Sequence, residues 1–318
     1  MRALVTGGLG YLGKHVVRGL RETTLSTRLI VRSVPDTSEE SDFYCADLAG
    51  GRELDKAFDG VDVLVHMAAA MGNDAAISIR DTVEGTKRLI AAMSRSGSKR
   101  LVLASSFSVY DWARIESYLD ENSPTLDDAS SKSVGNYATS KVMQELLVRK
   151  AAQQNGWLLT VLRPAALWGD GVWAEFLIGP RVEPLQLVVA PTAKIRLCHV
   201  HNAAEAFTLA TFRTSGPREL VINLVDDPEV TTWQHAHTVH KVSGSYRIAV
   251  PYHIAMVGAR TASIFTERLT KVPYFADPLR FEALHKPVEW SNKCLREALG
   301  WTPRFDYHQA IAHEIATT

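Results

Sequence analysis

Tyr137 and Lys141 stand four residues apart in Asn136-Tyr137-Ala138-Thr139-Ser140-Lys141, a spacing that puts both side chains on one face of a helix. A phenol with a pKa of about 10 exchanges protons poorly at neutral pH, and a neighbouring ammonium favours the phenolate. The pair therefore reads as an acid-base device for a substrate hydroxyl or carbonyl. A second chemical element is Ser105-Ser106-Phe107-Ser108-Val109-Tyr110, which closes an apolar run at 101–105. Hydroxyls at the carboxyl end of a strand lie where open α/β sheets bind ligands.

A third element is Val5-Thr6-Gly7-Gly8-Leu9-Gly10-Tyr11-Leu12-Gly13, which follows an apolar run and opens a helical pattern. Gly7 allows a tight turn, Gly10 lets backbone approach a pyrophosphate, and Gly13 permits close helix-strand packing, while the helix N-terminus offers N–H donors to phosphate. Gly7, Gly10, Tyr11, Leu12 and Gly13 are thus expected to cradle a dinucleotide. The next strand runs into Arg32-Ser33, where an acidic residue would bond the ribose of NAD. A guanidinium fork and a hydroxyl suit a 2′-phosphate, which favours NADP(H) over NAD(H). Asp47-Leu48 offers either an adenine contact or a turn carboxylate.

Positioning these residues requires alternating strands and helices. Apolar runs at 3–6, 28–31, 61–66, 101–105 and 159–162 alternate with helical patterns at 13–22, 80–94 and 136–154. The expected fold is α/β, a Rossmann-type doubly wound parallel sheet with a smaller C-terminal substrate lobe. The dinucleotide-binding domain is expected over 1–165, with 196–225 returning to it through a helix at 203–212 and a strand at 220–224. The substrate lobe takes 166–195 and 226–318. The 318 residues are 46% apolar, enough for a real core. The 35 Lys and Arg balance 35 Asp and Glu, which argues against nucleic acid as a partner. Three scattered cysteines without metal-ligand spacing, no apolar span and no leader peptide point to a cytoplasmic protein without a membrane span.

The sequence resembles the extended short-chain dehydrogenase/reductase family, the NAD(P)-dependent epimerase/dehydratase superfamily. The resemblance rests on TGGLGYLG, Asp47-Leu48, VLVHMAA at 63–69, SSFSVY at 105–110, YATSK at 137–141, LRP at 162–164 and LGWTP at 299–303, in family order. It implies that Ser106 bonds the reacting oxygen, with Ser105 the fallback, that Tyr137 donates or accepts the proton, and that Lys141 holds the nicotinamide ribose. Ala68 and Ala69 would border the cofactor, and helices 80–94 and 136–154 would pair in a homodimer. Thr82 stands where the family usually carries Asn, which puts that residue's role in helix packing or a water relay in doubt here.

Within the family, LRPAALWGDG lacks the Asn of sugar-nucleotide enzymes and looks nearer the 3β-hydroxysteroid dehydrogenase branch. Phe107, Trp112, Trp168 and Trp173, with Ser106, are candidate substrate contacts suited to an apolar or ring-shaped ketone. The expected activity is NADP(H)-dependent interconversion of a secondary alcohol and a ketone on a small molecule. Arg181, Lys194 and Arg196 keep open a nucleotide-sugar epimerase or dehydratase with tightly bound NAD; a catalytically silent cofactor-binding sensor is the third reading. His199 and His201 would share one side of a strand but lack a third ligand at recognisable spacing, so no metal is expected.

Overall fold

The structure, a computed structural model, describes residues 1–35, 42–51, 53–72, 74–182, 184–227, 229–243, 246–266 and 272–317. The Gly-rich loop joins β1 (Arg2–Thr6) to α1 (Tyr11–Arg21), after which come β2 (Ser26–Val31), β3 (Asp42–Cys45), β4 (Val63–His66) and β5 (Arg100–Ala104). With strands Leu158–Pro164 and Glu219–Leu224 they form a seven-stranded sheet. Its order is Glu219–Leu224, Leu158–Pro164, β5, β4, β1, β2, β3, and every pairing is parallel. The chain builds outward from β1 in one direction and then resumes on its other side at β4. That switch point opens a crevice beyond the carboxyl ends of β1 and β4.

Both faces of the sheet are covered, so its central strands read as unbroken apolar runs rather than alternating ones. On one face Val5, Val16, Leu20, Val65 and Phe207 join α1 and the helix Val200–Phe212 to the sheet. On the other, Leu64, Leu89, Met93, Val148 and Trp157 bury the helices Gly85–Ser96 and Asn136–Asn155. The helix expected at 80–94 starts as a π-helical turn, Ile79–Glu84, before the α-helix Gly85–Ser96. β3 was not expected. Asp-Phe-Tyr-Cys is a four-residue edge strand, too short to show a period.

The expected substrate lobe carries a three-stranded sheet in which Leu185–Val189 pairs with Tyr246–Val250 and Arg181–Val182. Leu197–His199 pairs with Ala166–Trp168 in a separate ribbon, and the chain then re-enters the large fold through Val200–Phe212 and Glu219–Leu224. Late residues return as well. Val288, Trp290, Leu295 and Trp301 pack into the core on the α1 face, where the Trp301 indole donates to the Asn202 carbonyl at 3.1 Å.

Several histidines are buried without an acidic partner. Burial pushes His66 and His285 down to about 3 and His235 to about 4. Each is protonated in the unfolded chain below about pH 6.5 but not in the fold, so stability falls as pH drops from 6.5 toward 4. Burial raises Asp226 to about 7, which acts in the opposite sense over pH 4–7 for one proton against three. Thermal unfolding should therefore show a Tm that decreases from pH 6.5 to 4. A flat or rising Tm would contradict neutral burial of these rings.

Candidate active site

The Gly-rich loop is shaped by contacts that exclude side chains. Gly7 has φ +73°, and a Cβ there would lie 2.7 Å from the Ala68 nitrogen. A Cβ on Gly13 would overlap the Gly7 carbonyl oxygen. The Gly10 N–H donates to Gly7 O at 3.0 Å, closing the turn. α1 has no side-chain cap and no acidic residue in its first turn, so its leading N–H groups face the crevice without a carboxylate competitor. This cradle fits a dinucleotide phosphate. Ala68 and Ala69 lie half-buried just beyond the adjoining end of β4.

At the tip of β2, the Arg32 side chain is 79% exposed with its guanidinium 4.0 Å from Asp81, and Ser33 is exposed beside it. The Asp47 carboxylate accepts the Ala49 N–H at 3.1 Å in a turn, with its side chain exposed and Leu48 half-buried next to it.

The structure brings Ser106 and Tyr137 together. Ser106 precedes a short 3-10 turn, Phe107–Val109, where its hydroxyl accepts the Ser108 N–H at 3.1 Å. Tyr137 sits in the first turn of Asn136–Asn155. Burial raises its phenol pKa, and a hydrogen bond with Ser106 works against that rise. The phenol is therefore protonated at neutral pH. The ammonium influence expected from Lys141 is not what the geometry gives. Lys141 Nζ donates instead to the Ala104 carbonyl at 2.5 Å and to Gln144 Oε1 at 2.6 Å, and burial pushes it down to about 7. The i, i+4 spacing aligned the two residues on one face, but β5 supplies a stronger acceptor for the amine.

Ser105, the fallback for the hydroxyl that bonds the reacting oxygen, is committed elsewhere. It donates to Glu145 Oε2 at 2.5 Å, and the same carboxylate receives Arg163 Nη2 at 2.5 Å and Nε at 3.2 Å, all of it buried. Burial opposes charge on both ion-pair partners, yet the contact holds Glu145 below and Arg163 above their ordinary pKa values. Gln144 is a residue that sequence reasoning missed. Its amide links Lys141 to His66 at 3.0 Å, Thr86 Oγ1 at 3.1 Å and the Ala68 carbonyl at 3.1 Å. Thr82, in the usual Asn position, accepts the Ala70 N–H at 2.9 Å and so fastens the chain beyond β4. Only the apolar face of that helix had a readable period, which hid its polar partners.

Tyr137 forms part of the wall of a cavity of about 330 Å³. Trp112, Leu126, Val134, Tyr274, Leu279 and Leu284 supply much of the remaining wall, with Ser108 and Arg280 among its polar groups. Of the aromatic candidates, Trp112 borders it. Phe107 does not: it is buried in the core, edge-on to Tyr110. Trp168 is fully buried, packed with Trp173, His199, His235 and Tyr307 in a different cluster, and Trp173 lines a separate groove. A tryptophan's type shows its apolar bulk but not which cluster it fills.

Of the three cations kept for a diphosphate, Arg196 is committed to the fold, whereas Lys194 and Arg181 make surface contacts. Arg196 is buried over the Trp112 ring at 4.5 Å and donates to the carbonyls of Ala283, Leu284 and Lys286. Lys194 donates to Glu229 O at 3.3 Å, and Arg181 pairs with Glu175 at 3.5 Å. Among the described residues no helix is long and apolar enough to cross a membrane.

Residues 3–224 match the NAD dependent epimerase/dehydratase family, and the chain belongs to it. With its fold, this makes the protein an NAD(P)-dependent enzyme of the extended short-chain dehydrogenase/reductase type. It is 28% identical over 326 residues to a 4-hydroxy-2-methyl-3-oxo-4-farnesyl-3,4-dihydroquinoline-1-oxide ketoreductase of Stigmatella aurantiaca, covering 98% of this chain and 95% of that one. It is 26% identical over 337 residues to a 3 beta-hydroxysteroid dehydrogenase/Delta 5-->4-isomerase of Mycobacterium tuberculosis, covering 98% and 88%. The Thermus thermophilus UDP-glucose 4-epimerase, solved with NAD, superposes with a TM-score of 0.68 at 21% identity, covering 99% and 98%.

The buried Glu145 carboxylate generates a stability prediction. Glu145→Gln keeps the shape but leaves the Arg163 guanidinium buried without its counter-charge, which costs roughly 3–5 kcal/mol. Urea unfolding should show a midpoint lowered accordingly, and a loss below about 1 kcal/mol would mean that the pair does not anchor this helix.

Proposed function

We propose that this enzyme reduces a ketone on an apolar or ring-containing small molecule, and reoxidises the corresponding secondary alcohol, with Tyr137 as the proton-transferring residue. The observation that carries the reading is the placement of the protonated Tyr137 phenol in the wall of a mainly apolar cavity. The nicotinamide of the bound cofactor supplies or takes the hydride. Tyr137 donates its proton to the carbonyl oxygen, and the Ser106 hydroxyl holds that oxygen beside the phenol. Gln144 positions Lys141, whose remaining N–H would hold the cofactor ribose. Trp112, Leu126 and Leu284 exclude water and favour an apolar substrate. The ketoreductase and hydroxysteroid relatives support this branch.

NADP(H) is the favoured cofactor, because the chain leaves β2 through the exposed Arg32 and Ser33 rather than through an acidic residue, with Asp81 4.0 Å from the Arg32 guanidinium. A cytoplasmic homodimer belongs to the same reading. Leu146 is exposed and Met143 and Leu147 half-buried along Asn136–Asn155, which suits helix pairing between copies. Sedimentation that finds a concentration-independent monomer would remove the dimer.

The function is tested by offering NADPH and NADH with ring ketones, and separately offering UDP-glucose. Ring-ketone reduction is expected, with kcat in Tyr137→Phe lower by about 10²–10⁴-fold at unchanged cofactor affinity. Epimerised UDP-glucose with tightly held NAD and no ketone turnover would establish the sugar-nucleotide reading instead. In the same assay Arg32→Asp should shift kcat/KM from NADPH toward NADH by roughly ten- to a hundredfold, the worth of one charge-assisted contact. An unchanged ratio would show that Arg32 does not read the 2′-position.

A further inference from the structure

Behind the Gly-rich loop, three segments far apart in sequence converge on one point. His15 lies in the second turn of α1. Asp170 sits in the loop after the strand Ala166–Trp168, and His201 lies in the first turn of Val200–Phe212. His15 Nε2 is 3.0 Å from Asp170 Oδ2, and His201 Nε2 is 3.5 Å from Asp170 Oδ1. One ligand atom from each of the three residues lies within 4.8 Å of the other two. Tetrahedral zinc with bonds of about 2.0–2.1 Å needs its ligand atoms about 3.3 Å apart, so small side-chain rotations close the set.

One further observation points to a ligand at this place. The His15 side chain is only 3% exposed, its Nδ1 has no hydrogen-bond partner, and its Nε2 stands 3.0 Å from the Asp170 carboxylate without hydrogen-bond geometry. A buried polar atom left in this state calls for an explanation, an unseen ion among them. Asp170 is also held in the left-handed region at φ +47°, between Gly169 at φ +112° and Gly171 at φ +81°. The loop is fixed from outside: Tyr11 donates to Gly169 O at 2.7 Å and the Gly171 N–H donates to Glu314 at 3.1 Å. Glu314 in turn pairs with His199 at 3.1 Å.

We infer that His15, Asp170 and His201 form a binding site for a divalent transition-metal ion of the zinc type, with its fourth position open to solvent. Two imidazoles and one carboxylate are a donor set that suits Zn²⁺ and disfavours Mg²⁺ or Ca²⁺, which prefer all-oxygen shells. His15 and His201 both line a solvent groove of about 540 Å³ with Arg18 and Arg304, which gives the ion an entry path. Lys14 Nζ bonds Asp170 Oδ2 at 2.8 Å and competes for it, but that side chain is 49% exposed and can turn into water. The bound ion would cross-link α1, which carries the cofactor loop, to the Gly169–Gly171 loop and to the helix Val200–Phe212.

The test uses the full-length untagged chain, stripped with chelator, loaded with Zn²⁺ and desalted. One zinc per chain is expected by elemental analysis, together with a Tm raised by Zn²⁺ and not by Mg²⁺. Asp170→Asn keeps a residue that tolerates the left-handed backbone and removes the charge. It and His201→Gln should each bind Zn²⁺ at least tenfold more weakly in calorimetric titration and lose the Tm shift, while circular dichroism confirms their fold. Co²⁺ in place of zinc should give tetrahedral visible absorption in wild type alone. No retained zinc in wild type, or equal retention and equal affinity in both variants, would overturn the site.

Discussion

The arrangement of this active site depends on one buried carboxylate. Glu145 lies two helical turns below Tyr137 and one below Lys141, on the face that meets the sheet. There it accepts Arg163 from the strand Leu158–Pro164 and Ser105 from the end of β5. A buried charge pair gains little net stability over an apolar pair, but it tolerates no slippage, because any register shift strands a charge in the core. It therefore fixes the rotation and height of the helix against the two strands. Ser106, next along the chain from Ser105, is thereby brought to Tyr137.

The same constraint explains why Lys141 turns inward. With Glu145 clamped, Lys141 faces the last carbonyl of β5, and the amine is held by Ala104 O and Gln144 rather than by the phenol. Gln144 then passes the connection to His66, Thr86 and the Ala68 carbonyl, tying the helix Asn136–Asn155 to the strand end that backs the Gly-rich loop. The phenol keeps its proton because burial outweighs the Ser106 bond. A protonated donor in an apolar wall is matched to a carbonyl oxygen that gains charge during reduction.

Much of this was legible in the sequence because local rules express it. Glycines 7, 10 and 13 carry the loop because backbone and backbone meet there, and the strand and helix runs of the Rossmann half follow periods that burial imposes. Tyr137 and Ser106 were visible as motif positions. What was not legible is set by contacts between distant segments. Nothing local to Arg196 shows that it caps carbonyls at 283–286, nothing local to Trp168 shows that it packs with His235 and Tyr307, and nothing local to His201 shows His15 and Asp170 beside it. The Tyr137–Lys141 spacing carries a shared orientation but not which acceptor the amine takes.

The central claim is that Ser106 and Tyr137 act as one proton-transferring unit on a carbonyl oxygen. A double-mutant cycle on kcat/KM for ring-ketone reduction, with Ser106→Ala, Tyr137→Phe and the double variant, tests it most directly. If the two act as a unit, the double variant is no slower than the slower single variant, because removing either hydroxyl already disables the step. Fully additive losses would mean that the two hydroxyls act independently and would contradict the account.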